Sequence, residues 1–186
     1  MRPWKLNRVR HVVNSGGVIA YPTEAVYGLG CDPLLQSAVT RILQMKRRSV
    51  SKGLILVAAD VSQILEYVEF KDAAMVERVM ATWPGPVTWL LPASPATPPW
   101  IRGQHNNVAV RVSGHPLVQA LCNATGVLVS TSANPANCPP ARTARKVIYY
   151  FGRSLDYVVQ GAPYPTARQP SEIRDARTGK IIRGGG

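Results

Sequence analysis

Acidic residues are scarce in this chain. Of 186 residues, 10 are Asp or Glu against 22 Lys or Arg, a formal net charge of +12. After Glu77 no acid appears until Asp156, an interval that holds Arg78, Arg102, Arg111, Arg142, Arg145, Lys146 and Arg153. Pro33 to Ala59 is equally bare of acids and carries Arg41, Lys46, Arg47, Arg48 and Lys52. Such a field attracts anions, whether nucleotide, phosphate, carboxylate or RNA. It leaves no carboxylate cluster from which a protein-only metal cage could be built. Cysteine is scarce too: Cys31, Cys122 and Cys138 form no CxxC pair and leave an odd count. That argues against a disulfide frame and for reduced thiols in a cytoplasmic protein. No apolar run approaches membrane-spanning length, and the start, Met1-Arg-Pro-Trp-Lys-Leu-Asn-Arg, lacks the apolar region of a signal peptide.

Several familiar sites are missing. No G-x-x-x-x-G-K-[ST] occurs, which excludes a P-loop enzyme. Gly28-Leu29-Gly30 is followed by Cys31-Asp32-Pro33, so the dinucleotide-binding spacing fails at its third glycine. His11, His105 and His115 are scattered, and neither a zinc spacing nor a Ser-His-Asp arrangement emerges.

What is present is a foldable α/β pattern. Apolar residues make up 46% of the chain, and the length suits one domain, residues 1–186. Val18-Ile19-Ala20 reads as a buried strand ending at Pro22, with Thr23 and Glu24 just beyond it, where open α/β sheets bind ligands. Gly28 and Gly30 would mark a turn or a close approach of backbone. Leu35, Ala38, Val39 and Ile42 recur at helical spacing, and Lys46 follows four residues later on the same face. Helices are also predicted over Leu6–Asn14, Val61–Val68, Ala73–Trp83, His115–Thr125 and from Thr143 to Phe151. Strands are predicted over Leu54–Ala59, Val87–Leu91, Val108–Val112, Val127–Val129 and Tyr157–Val159, with Ser171–Ala176 and Lys180–Arg183 as a hairpin. Pro92 to Pro99, with four prolines in eight residues, reads as a surface loop. In the strand at 108–112, Arg111 shares a face with Ala109 and Ser113, a composition that suits a cavity wall. Alternating strands and helices predict an α/β fold: one twisted, open sheet of mixed direction, flanked by helices.

The chemistry-bearing residues left over are cations and hydroxyls, with one amide: Thr23, Lys46, Arg48, Lys52, Arg111, Ser130, Ser132, Asn134, Ser171 and Arg183. Phosphoryl and nucleotidyl transfer need this kind of set, because their transition states spread negative charge over oxygens and catalysis is mostly positioning and electrostatics. The bare inventory also fits a non-catalytic RNA-binding domain, although no aromatic RNA-recognition motif or GXXG loop is evident.

Ala20-Tyr-Pro-Thr-Glu-Ala-Val-Tyr-Gly-Leu-Gly-Cys-Asp-Pro33 resembles the signature of the YrdC-like (TsaC) family, the L-threonylcarbamoyladenylate synthases. Five further matches follow in the family's order: Lys46-Arg47-Arg48, Trp83-Pro84-Gly85-Pro86, Ala109-Val110-Arg111-Val112, Ser130-Thr131-Ser132-Ala133-Asn134 and Pro170-Ser171-Glu172-Ile173-Arg174-Asp175. They span nearly the whole chain, as in the short single-domain bacterial form.

The resemblance implies a basic concave cavity and a nucleotidyltransferase that joins L-threonine, bicarbonate or CO2, and ATP into threonylcarbamoyl-AMP, releasing pyrophosphate. The product would serve t6A37 modification of tRNAs reading codons that begin with A, through downstream transfer proteins, with tRNA itself a further candidate partner. It implies catalytic roles for Lys46 and Arg48 on phosphates and carbamate, and a threonine-carboxylate role for Arg111. Thr23 would line the threonine pocket, and Ser132 and Asn134 would hold nucleotide and threonine groups. Lys52, Ser130, Ser171 and Arg183 would lie on the nucleotide side, and Mg2+ would bridge the ATP phosphates. The alternative kept beside it is a non-catalytic tRNA-binding domain.

Overall fold

A computed structural model describes residues 3–161 and 172–184. Nine strands form a single sheet in the order β7-β1-β2-β6-β3-β5-β4-β8-β9. They are β1 (Ile19–Pro22), β2 (Tyr27–Gly30), β3 (Ile55–Ala58), β4 (Val87–Pro92), β5 (Asn107–Val112), β6 (Leu128–Ser132), β7 (Tyr157–Val158), β8 (Glu172–Asp175) and β9 (Ile181–Arg183). The helices are α1 (Pro3–Asn14), α2 (Gln36–Lys46), α3 (Ala73–Met80), α4 (Pro99–Arg102), α5 (Pro116–Thr125) and α6 (Ala144–Phe151). The sheet is mixed: β3 runs parallel to β5 and antiparallel to β6, and β4 runs antiparallel to β5 and parallel to β8.

The pleat sends alternate residues to opposite faces. Val18, Ala20, Leu56, Val110 and Val129 enter the larger core, closed by Val39 and Ile42 of α2, Met75 and Val79 of α3, and Val147 and Phe151 of α6. Ile19, Tyr21, Val57 and Leu128 face the other way and meet Val9 and Val13 of α1 and Val118, Leu121 and Cys122 of α5. Two helices are too few to cover a nine-stranded face. Past them no helix among the described residues covers the sheet, and Ile55, Leu90, Asn107, Ala109 and Arg111 look onto a cleft.

Four differences from the sequence reading have local causes. Tyr27–Gly30 is a strand, not a turn, paired with β1 in the register Tyr21↔Gly28. Its glycines make room for Tyr21, since a Cβ on Gly30 would lie 2.8 Å from both the Tyr21 ring and Val129 O. The helix predicted over Val61–Val68 stops after one 3-10 turn, Val61–Ile64. Val68 instead bridges Ala93 and Glu69 N donates to Pro92 O, so the end of β4 takes that segment as extended backbone. The proline-rich stretch is partly interior: Thr97 is buried with its hydroxyl donating to Tyr67 O (2.6 Å), and Pro99 opens α4, where its missing N–H is no loss. Finally, β6 continues through Ser132, so the hydroxyls lie on the strand rather than beyond it.

Candidate active site

The bare half of the sheet is the floor of a cleft of about 790 Å3. Tyr21 lies over the two glycines of β2 and donates its hydroxyl to Ser130 Oγ (3.0 Å). Ser130 and Ser132 share the floor-facing side of β6 with Leu128, two residues apart each. Burial raises the Tyr21 phenol well above its ordinary value, so it acts as a neutral donor.

One wall comes from the end of α2. The helix closes in a left-handed residue, Arg47 (φ 50), with Arg47 N donating to Gln44 O (3.0 Å) and Arg48 N to Leu43 O (2.9 Å). This Schellman pattern turns the chain sharply, and Arg48 and Lys52 line the cleft just beyond it. Arg48 Nη2 donates to Gly53 O (3.0 Å), while its buried Nε has no hydrogen-bond partner among the described residues. Burial, then the charge of Arg183, lowers the Arg48 pKa. That second cause places two guanidiniums in one field, as a polyanion site requires. Arg183 reaches the cleft from β9, and Arg102 from α4.

Lys46 behaves differently from Arg48. It is 6% exposed and does not line the cleft. Its ammonium sits behind the floor and donates to Ser132 O, to Asn134 O (2.8 Å) and to Asn134 Oδ1 (3.4 Å). Asn134 also stays out of the lining; its amide donates to Cys138 O (2.8 Å) and Pro135 O (3.1 Å). Lys46 thus fastens the end of β6 to the end of α2. Desolvation, then Arg48, lowers its pKa to about 8.

The opposite wall is the β1–β2 loop. Thr23 N and Oγ1 both donate to Val26 O, at 3.0 and 2.8 Å, and the tight loop carries Glu24 across to β5. There Arg111 Nη2 is ion-paired with Glu24 Oε1, and the two side chains are only 13% and 17% exposed. Ser113 Oγ donates to the same carboxylate oxygen (3.1 Å), and Arg111 Nε donates to Gly85 O (3.0 Å). Gly85 N returns a bond to Val112 O (2.9 Å), so the turn at 83–86 braces the arginine.

Of the ten residues singled out from sequence, Thr23, Arg48, Lys52, Arg111, Ser130, Ser132 and Arg183 converge on the cleft. Lys46 and Asn134 stand behind it, and Ser171 lies outside the described residues. Sequence reasoning gave Tyr21 no place in the site, and set Glu24 at the ligand-binding end of β1 without assigning it a role. The signal for Glu24 was its rarity: an acid beside Thr23 in a basic chain. Among the described residues no group of three or more His, Cys, Asp or Glu could hold a metal. No helix there is long and apolar enough to cross a membrane.

A half-covered mixed sheet whose exposed floor carries hydroxyls, ringed by arginines and a lysine, defines an α/β protein that holds anionic ligands against its strands. The family model Sua5_yciO_yrdC, described as "Telomere recombination", matches residues 11–185. The chain belongs to this family. It is 52% identical over 181 residues to a Threonylcarbamoyl-AMP synthase of Nitrosococcus oceani, covering 97% of each chain. A protein of that name from Pseudomonas aeruginosa strain PAO1 is 54% identical over 172 residues, 92% of each chain. Among solved structures, P. abyssi Sua5 complexed with L-threonine superposes with a TM-score of 0.92 at 28% identity. All of the present chain is covered, and it spans 55% of the length of that Sua5.

Proposed function

We infer that the protein is a threonylcarbamoyl-AMP synthase, joining L-threonine, bicarbonate or CO2, and ATP with release of pyrophosphate, for t6A37 modification of tRNA. The observation that carries this reading is the convergence, in one 790 Å3 cleft, of the sequence-derived cations and hydroxyls, in a chain half identical to relatives bearing that name. A carbamate forms from an unprotonated amine and CO2 without a protein nucleophile, and its oxygen then attacks the α-phosphate of ATP. The protein's work is to hold two anions together and keep water from the product.

The residues divide that work by position. Arg48, Lys52 and Arg183 face the polyphosphate. Arg111, with Nε and Nη2 held by Gly85 O and Glu24, keeps Nη1 for the threonine carboxylate, and Thr23 closes the same end. Ser130 and Ser132 present hydroxyls from the floor. Lys46 and Asn134 act from behind, by fixing the strand that carries Ser132. With cations and hydroxyls around the cleft, Mg2+ would enter on the nucleotide, held by phosphate oxygens and water, and would neutralise phosphate charge there. Free, buried Cys31 and Cys122 suit a reducing cytoplasm. Downstream transfer proteins would consume the adenylate, with tRNA as their substrate and a candidate ligand of this basic surface.

The test is pyrophosphate release from ATP, measured with each substrate omitted in turn. Release is expected only when L-threonine and bicarbonate are both present, and Arg48→Ala should lower it by about 10³-fold, the scale of a well-placed cation in phosphoryl transfer. Salt-sensitive RNA binding without any turnover would favour a non-catalytic RNA-binding domain.

A further inference from the structure

We propose that Glu24 reads the α-ammonium of the amino-acid substrate and, together with Arg111, makes the cleft selective for a zwitterion over a bare carboxylate. The proposal rests on the synthase reading and assigns a specificity role to a residue which that reading leaves idle.

The ion pair is asymmetric. Glu24 Oε1 takes both the Arg111 and the Ser113 bonds. Oε2 accepts no hydrogen bond among the described residues and is not one of their buried unpartnered atoms, and Glu24 lines the cleft. On the other side, Arg111 commits Nε to Gly85 O and Nη2 to Glu24. Nη1 bonds no described group and is likewise not a buried orphan. The two unengaged groups of this ion pair, an anionic oxygen and a cationic N–H pair, therefore belong to residues that line the cleft together with Thr23. An α-amino acid carries the complementary charges on adjacent positions of one carbon. On entry its carboxylate meets Arg111 while its ammonium meets Glu24; the ammonium then gives its proton to solvent before the amine takes up CO2.

The electrostatics exclude the simpler alternative, that Arg111 alone captures carboxylates. Its charge is already cancelled by Glu24 at contact distance and low exposure. A lone carboxylate would have to displace or crowd an intramolecular one, with like-charge repulsion from Oε2. In a zwitterion the attraction of the ammonium to Glu24 offsets that repulsion. Among the described residues the other acid lining the cleft, Glu172, is paired with Arg174, which does not line it, so that ion pair presents no cation to the cleft. Two contacts hold Glu24 to the opposite wall, Arg111 of β5 and Ser113, and Ser113 Oγ is itself fixed by accepting from His115 N (3.1 Å). That rigidity is what a recognition group needs.

The experiment compares L-threonine with 2,3-dihydroxybutyrate, in which a hydroxyl replaces the ammonium. Both are titrated calorimetrically against the full chain in the presence of a non-hydrolysable ATP analogue, alongside pyrophosphate-release kinetics. Wild type is expected to bind L-threonine about 10- to 100-fold more tightly than the analogue, the scale of one charge-assisted hydrogen bond. Glu24→Gln keeps the shape and an acceptor for Arg111, and should bring the two ligands within about 3-fold. It should raise the KM for threonine while leaving the KM for ATP unchanged. Equal affinity of wild type for both ligands overturns the proposal without need of any variant. So does an unchanged preference in Glu24→Gln. Wild type that shows this preference but releases no pyrophosphate with threonine and bicarbonate would sink the synthase reading while leaving zwitterion recognition in place.

Discussion

At the scale of the residue, Lys46 and Arg48 show how two cations two positions apart take unlike duties. Arg48 follows the left-handed turn and opens onto the cleft, whereas Lys46 is held by three oxygens behind it. Lys46→Met should strand two backbone carbonyls and the Asn134 side chain at a cost of about 1–3 kcal/mol. That is readable as a lower denaturant midpoint along with lost turnover. The pH response separates its two roles. Its ordinary pKa is 10.5 and its native value is about 8. Between those values the unfolded chain binds more protons, so this group makes the native state more stable as pH rises through the window. The same rise removes the ammonium that fastens Ser132 and Asn134. Pyrophosphate release should therefore fall with a midpoint near pH 8, while this group causes no loss of thermal stability over the same range. Lys46→Arg, if it supports turnover, should move that limb to higher pH. The sequence put an amine in the interior at Lys46, because it extends the Leu35-Ala38-Val39-Ile42 stripe. It did not show what the amine would meet, since Ser132 and Asn134 are 86 and 88 residues away along the chain.

At the scale of the element, helices with a strong apolar stripe were legible, as in α2, and so were strands such as β5, whose burial alternates residue by residue. Elements decided by distant partners were not. The glycine-rich β2 has almost no side-chain pattern of its own, and only the ring of Tyr21 explains its composition. Gly30→Ala would force that ring and Val129 O apart, and should cost about 1–3 kcal/mol as overpacking. Tyr21→Phe, which loses only the Ser130 bond, should cost about 0.5–1.5 kcal/mol. Equilibrium unfolding of the pair checks the order. The C-cap of α2 offers the opposite outcome. Arg47 holds a left-handed backbone without the freedom of glycine, so Arg47→Gly should raise stability by up to about 1 kcal/mol and leave turnover intact. The convergence of Arg48, Arg111 and Arg183 was legible only through the motif resemblance, because β5 and β9 meet the α2 loop through sheet order, which no local pattern encodes.

At the scale of the whole molecule, the net charge of +12 becomes a local fact where Arg48, Lys52, Arg102, Arg111 and Arg183 ring one cleft. The KM for ATP should rise several-fold as ionic strength is raised from about 0.05 to 0.5 M, because the screening length drops below about 8 Å. The threonine preference should change much less, since its contacts are short and sheltered. The uneven helix cover has a mechanical corollary. Each strand under the ligand shows the cleft one row of side chains and plants the alternate row in the larger hydrophobic core: Ala109 and Arg111 are backed by Val108, Val110 and Val112. Such a base is as stiff as the interior it is rooted in, and cannot flex toward a guest without disturbing close-packed neighbours. Shape adjustment during turnover is thereby left to the border at the β8–β9 hairpin, and evolutionary retuning of what the enzyme accepts would be written there too.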